Sequence, residues 1–147
     1  MKWTVKDVDA YMQAKEYVDT ALVPLVPLAC ANVKAFAEMG EHVLLIANEI
    51  ERQFKGRVML IPPFTYWVDE EKNALKERLH RWKEKLGQNG FRHIFCLTAH
   101  ADWTEDGFVY LPPLPLEHVD DHYKQKLVSK QVEQAMETFI SKWTEKN

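Results

Sequence analysis

His100 and Asp102 close the apolar run Ile94-Phe95-Cys96-Leu97 and offer an imidazole and a carboxylate to one loop. Such a pair can act as a general base with its orienting acid, or as two of the three or more protein ligands a catalytic divalent metal needs. Spacing of i, i+2 on a loop does not by itself make the groups converge, so loop capping is the competing role. Cys30 follows another apolar run and precedes a helical pattern, a position that favours a thiolate and suits a nucleophile paired with His100. No oxyanion loop or third partner is identifiable for it, and a small residue packed at a strand end is the alternative. Cys96, inside its apolar run, reads as core. Glu41-His42 is adjacent to Val43, Leu44 and Ala47, so a solvated helix face is the reading, with a site rebuilt around His100 as the alternative. Tyr66, Trp67 and Trp103 are expected on the same rim as His100, where they bind a small ligand, contact a protein or cover a core edge.

The elements that position these residues follow from periodicity. Thr4 and Asp7 mark a helix start, and Val5, Val8, Tyr11 and Met12 carry it to about Glu16. Ala21 to Leu28 reads as a buried strand whose two prolines limit its central part to the residues before Pro24. Apolar residues at intervals of three and four predict a helix from Asn32 to Phe54, with Gly40 as an interruption. Arg57 to Ile61 is a second strand stopped by Pro62-Pro63, leaving Pro63 to Trp67 as a loop. Asp69 to Leu86 is helical, its many charges forming a solvated face, and Gly87 to Gly90 stops it. Arg92 to Thr98 is the third strand. After a turn from Asp102 to Gly107, Phe108 to Leu111 is a fourth strand, closed by Pro112 to Pro115, and a stripe from Val119 to Trp143 marks a last helix that covers the sheet. Strands separated by helices predict a three-layer α/β/α fold with a mainly parallel sheet, residues 1–147 forming one domain. Ligands bind such sheets at the carboxyl ends of the strands.

Composition narrows the function classes. Nineteen basic and 22 acidic residues in mixed order, net charge −3, provide no basic field for a phosphate backbone, so nucleic acid is not an expected partner. No apolar run approaches the roughly 20 residues that span a bilayer. The segment Met1 to Asp7 lacks the apolar core of a signal peptide, so a cytoplasmic location is expected. Cys30 and Cys96 form no metal-binding spacing and read as thiols.

Three segments resemble the creatininase (creatinine amidohydrolase) family: Ala21 to Pro24, Val58 to Pro63, and Gly90 to His100. The resemblance implies an α/β fold with a two-metal amidohydrolase site at the strand ends. It also implies a Glu-x-His and an Asp after the first strand, but those positions fall here on Ala29, Ala31 and Gly40, or in a shifted alignment on Asn32, Lys34 and Val43. Only His100 and Asp102 retain ligand chemistry. More closely, Tyr17 to Ala21, Gly40-Glu41, Glu51 to Arg57 and Phe64 to Tyr66 make the whole chain similar to the YpiF-like family of uncharacterised proteins.

The sequence therefore points to a creatininase-like module without the family metal site, cofactor-free and non-catalytic, that binds a protein partner or a small molecule. Creatininase-like enzymes assemble, so a homo-oligomer is compatible with this reading. The alternative is an amide hydrolase with a rearranged site around His100 and Asp102, and a ligand sensor using the aromatic rim is a third.

Overall fold

The computed structural model describes residues 1–103, 107–114 and 118–145. In chain order its elements are α1 (Val5–Gln13), β1 (Thr20–Leu28), α2 (Val33–Gln53), β2 (Val58–Leu60), β3 (Phe64–Trp67), α3 (Lys72–Gln88), β4 (His93–Thr98), β5 (Phe108–Tyr110) and α4 (Asp121–Trp143). The five strands form one sheet in the order β2-β1-β4-β5, with β3 also on β1, and every pairing is parallel. Two separate apolar cores flank it. Tyr11, Leu75, Leu79 and Leu86 of α1 and α3 pack on one face, and Val43, Ile46, Val132 and Phe139 of α2 and α4 pack on the other. This is the expected three-layer α/β/α arrangement.

β1 is the central strand, and it runs straight through both prolines, where the sequence suggested an early end. In a parallel ladder a residue directs its N–H and C=O to the same neighbour, and successive residues alternate sides. The Leu22 and Leu28 carbonyls accept from the Ile61 and Val68 amides, both at 2.9 Å, so even-numbered positions face the β2/β3 flank. The Asp19 carbonyl accepts from the Arg92 and His93 amides, so odd-numbered positions face β4. Pro24 therefore lacks its N–H toward the gap between the Leu22↔Leu60 and Leu25↔Phe64 pairs, where Pro62-Pro63 interrupts the neighbouring strand. Pro27 lacks its N–H toward β4, beyond the last pair, Pro24↔Leu97.

The same gap explains a second difference. The Pro63 to Trp67 segment, expected as a loop, resumes pairing as β3 because β1 is long enough to receive it after the proline break. The outward-facing backbone of β3 is occupied: the Trp67 amide donates to the Glu70 carboxylate at 2.7 Å, and the Arg78 guanidinium, paired with Glu70 at 2.5 Å, donates to the Thr65 carbonyl at 3.4 Å. Beside β2 the Leu60 amide donates to the Met1 carbonyl at 2.7 Å, while the Met1 ammonium meets Glu51 at 3.0 Å. Both halves of this edge are thus closed to further strand pairing.

The helix ends follow cap chemistry. Thr4 accepts from the Asp7 amide as expected, but α1 stops at Gln13 rather than near Glu16. α3 starts at Lys72 rather than Asp69 because the Glu71 carboxylate accepts from the Asn73 and Ala74 amides. Gly40 lies where α2 approaches β1: a Cβ there would stand 3.2 Å from Val26 Cγ1. On α4, Val132 and Phe139 of the expected stripe are buried, whereas Tyr123 and Ile140 face outward. The expected turn from Asp102 to Gly107 and the closing Pro115 fall partly or wholly outside the described residues.

At the amino ends of the strands, Arg57 holds the Asp19 carboxylate through two bonds of 3.0 and 3.2 Å and lies 4.0 Å over the Trp143 ring. The Trp143 indole donates to Thr20 Oγ1 at 2.8 Å, and Phe139 stacks on Phe95 at 4.1 Å, so the end of α4 is anchored to the sheet. Burial works to raise the Asp19 pKa, but the Arg57 and Thr20 bonds and the Arg57 charge outweigh it and hold the carboxyl below its ordinary value.

Gly40→Leu is expected to lower stability by about 1–3 kcal/mol through overpacking against Val26. Gly56→Ala, with no atom near the added Cβ, should stay within about 0.5 kcal/mol of the parent. Urea midpoints of the two variants check the contrast.

Candidate functional site

In the β2-β1-β4-β5 order the chain adds β2 on one side of β1 and β4 on the other, and the carboxyl ends of β1 and β4 define the crevice in which open α/β sheets hold ligands. Three segments meet this rim: 29–32 after β1, the end of β3, and 99–103 after β4.

After β4 the chain is pinned locally. The His100 amide donates to Thr98 Oγ1 at 3.0 Å, and the Trp103 amide donates to the His100 carbonyl at 3.4 Å. This holds the His100 ring against Phe36 of α2, centroids 5.7 Å apart. His100 Nδ1 is sealed from solvent without a hydrogen-bond partner, and the Asp102 carboxylate stands 3.8 Å from it. That separation permits electrostatic pairing but exceeds a hydrogen bond. Asp102 is 67% exposed and His100 21%, so the carboxylate is mostly solvated.

After β1, Cys30 is exposed and makes no hydrogen bond, ion pair or ring contact with His100. Asn32 adopts the left-handed conformation at φ 54° and precedes α2 without a side-chain cap. Among the described residues no group of three or more His, Cys, Asp and Glu is arranged to hold a metal ion. Ala29, Ala31 and Gly40 carry no donor atoms.

The three aromatic candidates separate. Side chains alternate along β3, which sends Phe64 and Tyr66 into the α1/α3 core and Trp67 to the opposite face. Tyr66 and Trp103 meet edge to face at 5.5 Å, the Trp103 indole donates to the Tyr66 hydroxyl at 3.0 Å, and both are buried. Trp103 also stacks on Phe108 at 5.3 Å. The nine residues between β4 and β5 are fewer than a crossover helix ordinarily needs. Burial raises the Tyr66 pKa above its ordinary value, and the Asp102 charge pushes the same way against the Trp103 bond.

Trp67 instead pairs in register with Leu28, and the two are 46% and 37% exposed. Both lie on the α2 side of the sheet, at the end where β1 outruns β4. Val33, the first residue of α2, is exposed at the same end. Leu28 and Val33 did not stand out in the sequence. The available signal is the strand alternation of Phe64 to Trp67, which becomes readable once that segment is recognised as a strand.

His42 is buried, against the expectation of a solvated helix face, while Glu41 is exposed. Its Nε2 bonds to Gln131 of α4, which makes it part of the α2/α4 interface rather than of the rim.

A mainly parallel, three-layer α/β protein with an apolar and imidazole-bearing switch-point rim is the class these features define. Within that class the chain belongs to the family described as protein of unknown function (DUF2487), whose model matches residues 9–143. It is 36% identical over 149 aligned residues to the uncharacterized protein YpiF of Bacillus subtilis (strain 168), covering 98% of this chain and 99% of that protein. No solved structure is detectably similar.

Tyr66→Phe is expected to destabilise the fold by about 1–3 kcal/mol, because the buried Trp103 N–H loses its acceptor. Chemical denaturation of this variant beside the parent measures it.

Proposed function

We propose that this chain is a non-catalytic binding module whose carboxyl-end rim engages a protein partner. The observation that carries this reading is the Leu28–Trp67 pair, two large apolar side chains in register and open to solvent at the carboxyl ends of β1 and β3. Aromatic and aliphatic side chains exposed together at strand ends favour macromolecular contact, and Trp is a frequent anchor in such contacts. In this reading the rim occupies the place where creatininase-like enzymes keep two metals, and the donor-free Ala29, Ala31 and Gly40 take the ligand positions. A cytoplasmic site of action and self-association through the same rim belong to the proposal.

A second reading has its own observation. His100 Nδ1 lacks a hydrogen-bond partner and faces the Asp102 carboxylate at 3.8 Å, an arrangement that can tighten into a general base around a bound amide.

The two separate experimentally. A photo-crosslinking phenylalanine derivative at position 67, compared with one at exposed Tyr17 before β1, should give a discrete protein adduct in cells only at 67. Equal labelling at both positions, or none at 67, would count against the binding reading. Turnover of a simple amide panel that His100→Ala abolishes, with the fold retained, would establish the hydrolase instead.

A further inference from the structure

His42 and Gln131 are the polar pair inside the α2/α4 core, with 4% and 5% of their surfaces exposed. The Gln131 amide nitrogen donates to the Pro112 carbonyl at 2.8 Å, which turns its Oε1 toward His42. The hydrogen-bond network therefore assigns His42 as the neutral tautomer with hydrogen on Nε2, donating to Gln131. Nδ1 is left as a buried acceptor with no partner.

We propose that His42, Gln131 and the Pro112 carbonyl form a proton-operated latch that holds the first half of α4 against α2. The rest of the helix is anchored differently. Phe139 and Trp143 tie its end to Phe95, Phe54 and Arg57, whereas residues 121–126 are all exposed and Leu127 and Val128 only partly buried. Gln131 is thus the first fully buried residue of α4 and the point where the helix is clasped to its neighbours.

A proton added to His42 must go to Nδ1, which places a cation in the apolar interface with no described residue hydrogen-bonded to that nitrogen. Among the described residues the surrounding charges do not compensate. From the sheet the same face brings one titratable group, His93, stacked on Phe95 at the amino end. From α4, Lys130 and Glu133 beside Gln131 are exposed, as are Glu38 and Glu41 on α2, and residues 111–114 carry no charge. At the start of α2, His100 with Asp102 lies against Phe36, more than a helical turn from His42. Burial is the larger effect on the His42 ring and lowers its pKa, with the Gln131 bond opposing it. The sign follows: a histidine whose folded pKa is depressed contributes stability above its unfolded value of about 6.5 and loses it as pH falls through the folded value. Between about pH 6.5 and the folded pKa the latch equilibrium weakens about tenfold for each pH unit, and below the folded pKa it levels off.

The test uses the whole chain. Nitrogen-detected NMR of the histidine rings should show His42 neutral with hydrogen on Nε2 at pH 7 and titrating below the ordinary histidine value of about 6.5. Hydrogen-exchange protection factors, corrected for intrinsic pH dependence, should fall selectively in 121–131 between pH 7 and pH 5, while β1 and α3 keep theirs. His42→Gln, a neutral donor of similar reach, should remove that pH dependence. A His42 ring with hydrogen on Nδ1, a pKa at or above the ordinary value, or α4 protection that stays flat in the wild type would each overturn the latch. Persistence of the acid response in His42→Gln would do the same; if that variant does not fold, the ring spectra and exchange of the wild type decide alone.

Discussion

Everything in this fold is registered on β1. The strand is bonded on both flanks, to β2 and β3 on one side and β4 on the other, and only β5 reaches the sheet without touching it. A parallel ladder alternates its obligations residue by residue. The two prolines of β1 each fall outside the paired run on the side they face, Pro24 beside the break at Pro62-Pro63 and Pro27 beyond the end of the pairing with β4. The proline break and the length of β1 beyond β4 are therefore one geometric fact. It also creates the rim, since the residues of β1 that outlast β4 are the ones that leave Leu28 beside Trp67.

The two faces of the sheet solve different problems. On the α1/α3 side the core includes a buried polar contact, Trp103 to Tyr66, where the chain leaves β4. On the α2/α4 side the interface is apolar toward the end of α4 and polar near its middle, where His42 and Gln131 meet. Polar pairs of this kind fix register at some cost in stability.

The strand and helix order was legible because periods of two and 3.6 differ plainly over segments as long as α2 and β4. β3 was not, because Pro-Pro reads as a stop, and only the length of β1 shows that pairing can resume beyond it. The same blindness placed Tyr66 and Trp67 on one rim, whereas a strand sends neighbours to opposite faces. His42 was misread because its burial depends on Gln131, 89 residues away in the chain, and nothing in the local run Glu41-His42-Val43 announces that partner. His100 and Asp102 were legible as a loop pair, but their 3.8 Å separation is a matter of the Thr98 turn and the Phe36 ring rather than of spacing.

The prolines of β1 have a further consequence during synthesis. β1 is complete at Leu28, but its second flank is not available until β4 ends at Thr98, about 70 residues later. At about 5–20 residues per second the strand spends several seconds with that flank open. A stretch of Leu and Val with no charge is the kind of segment that pairs with copies of itself when left unpaired. Pro24 and Pro27 remove one donor from each side of it, so the nascent strand is a poor template for its own kind. Its final neighbours arrive with gaps already cut to fit.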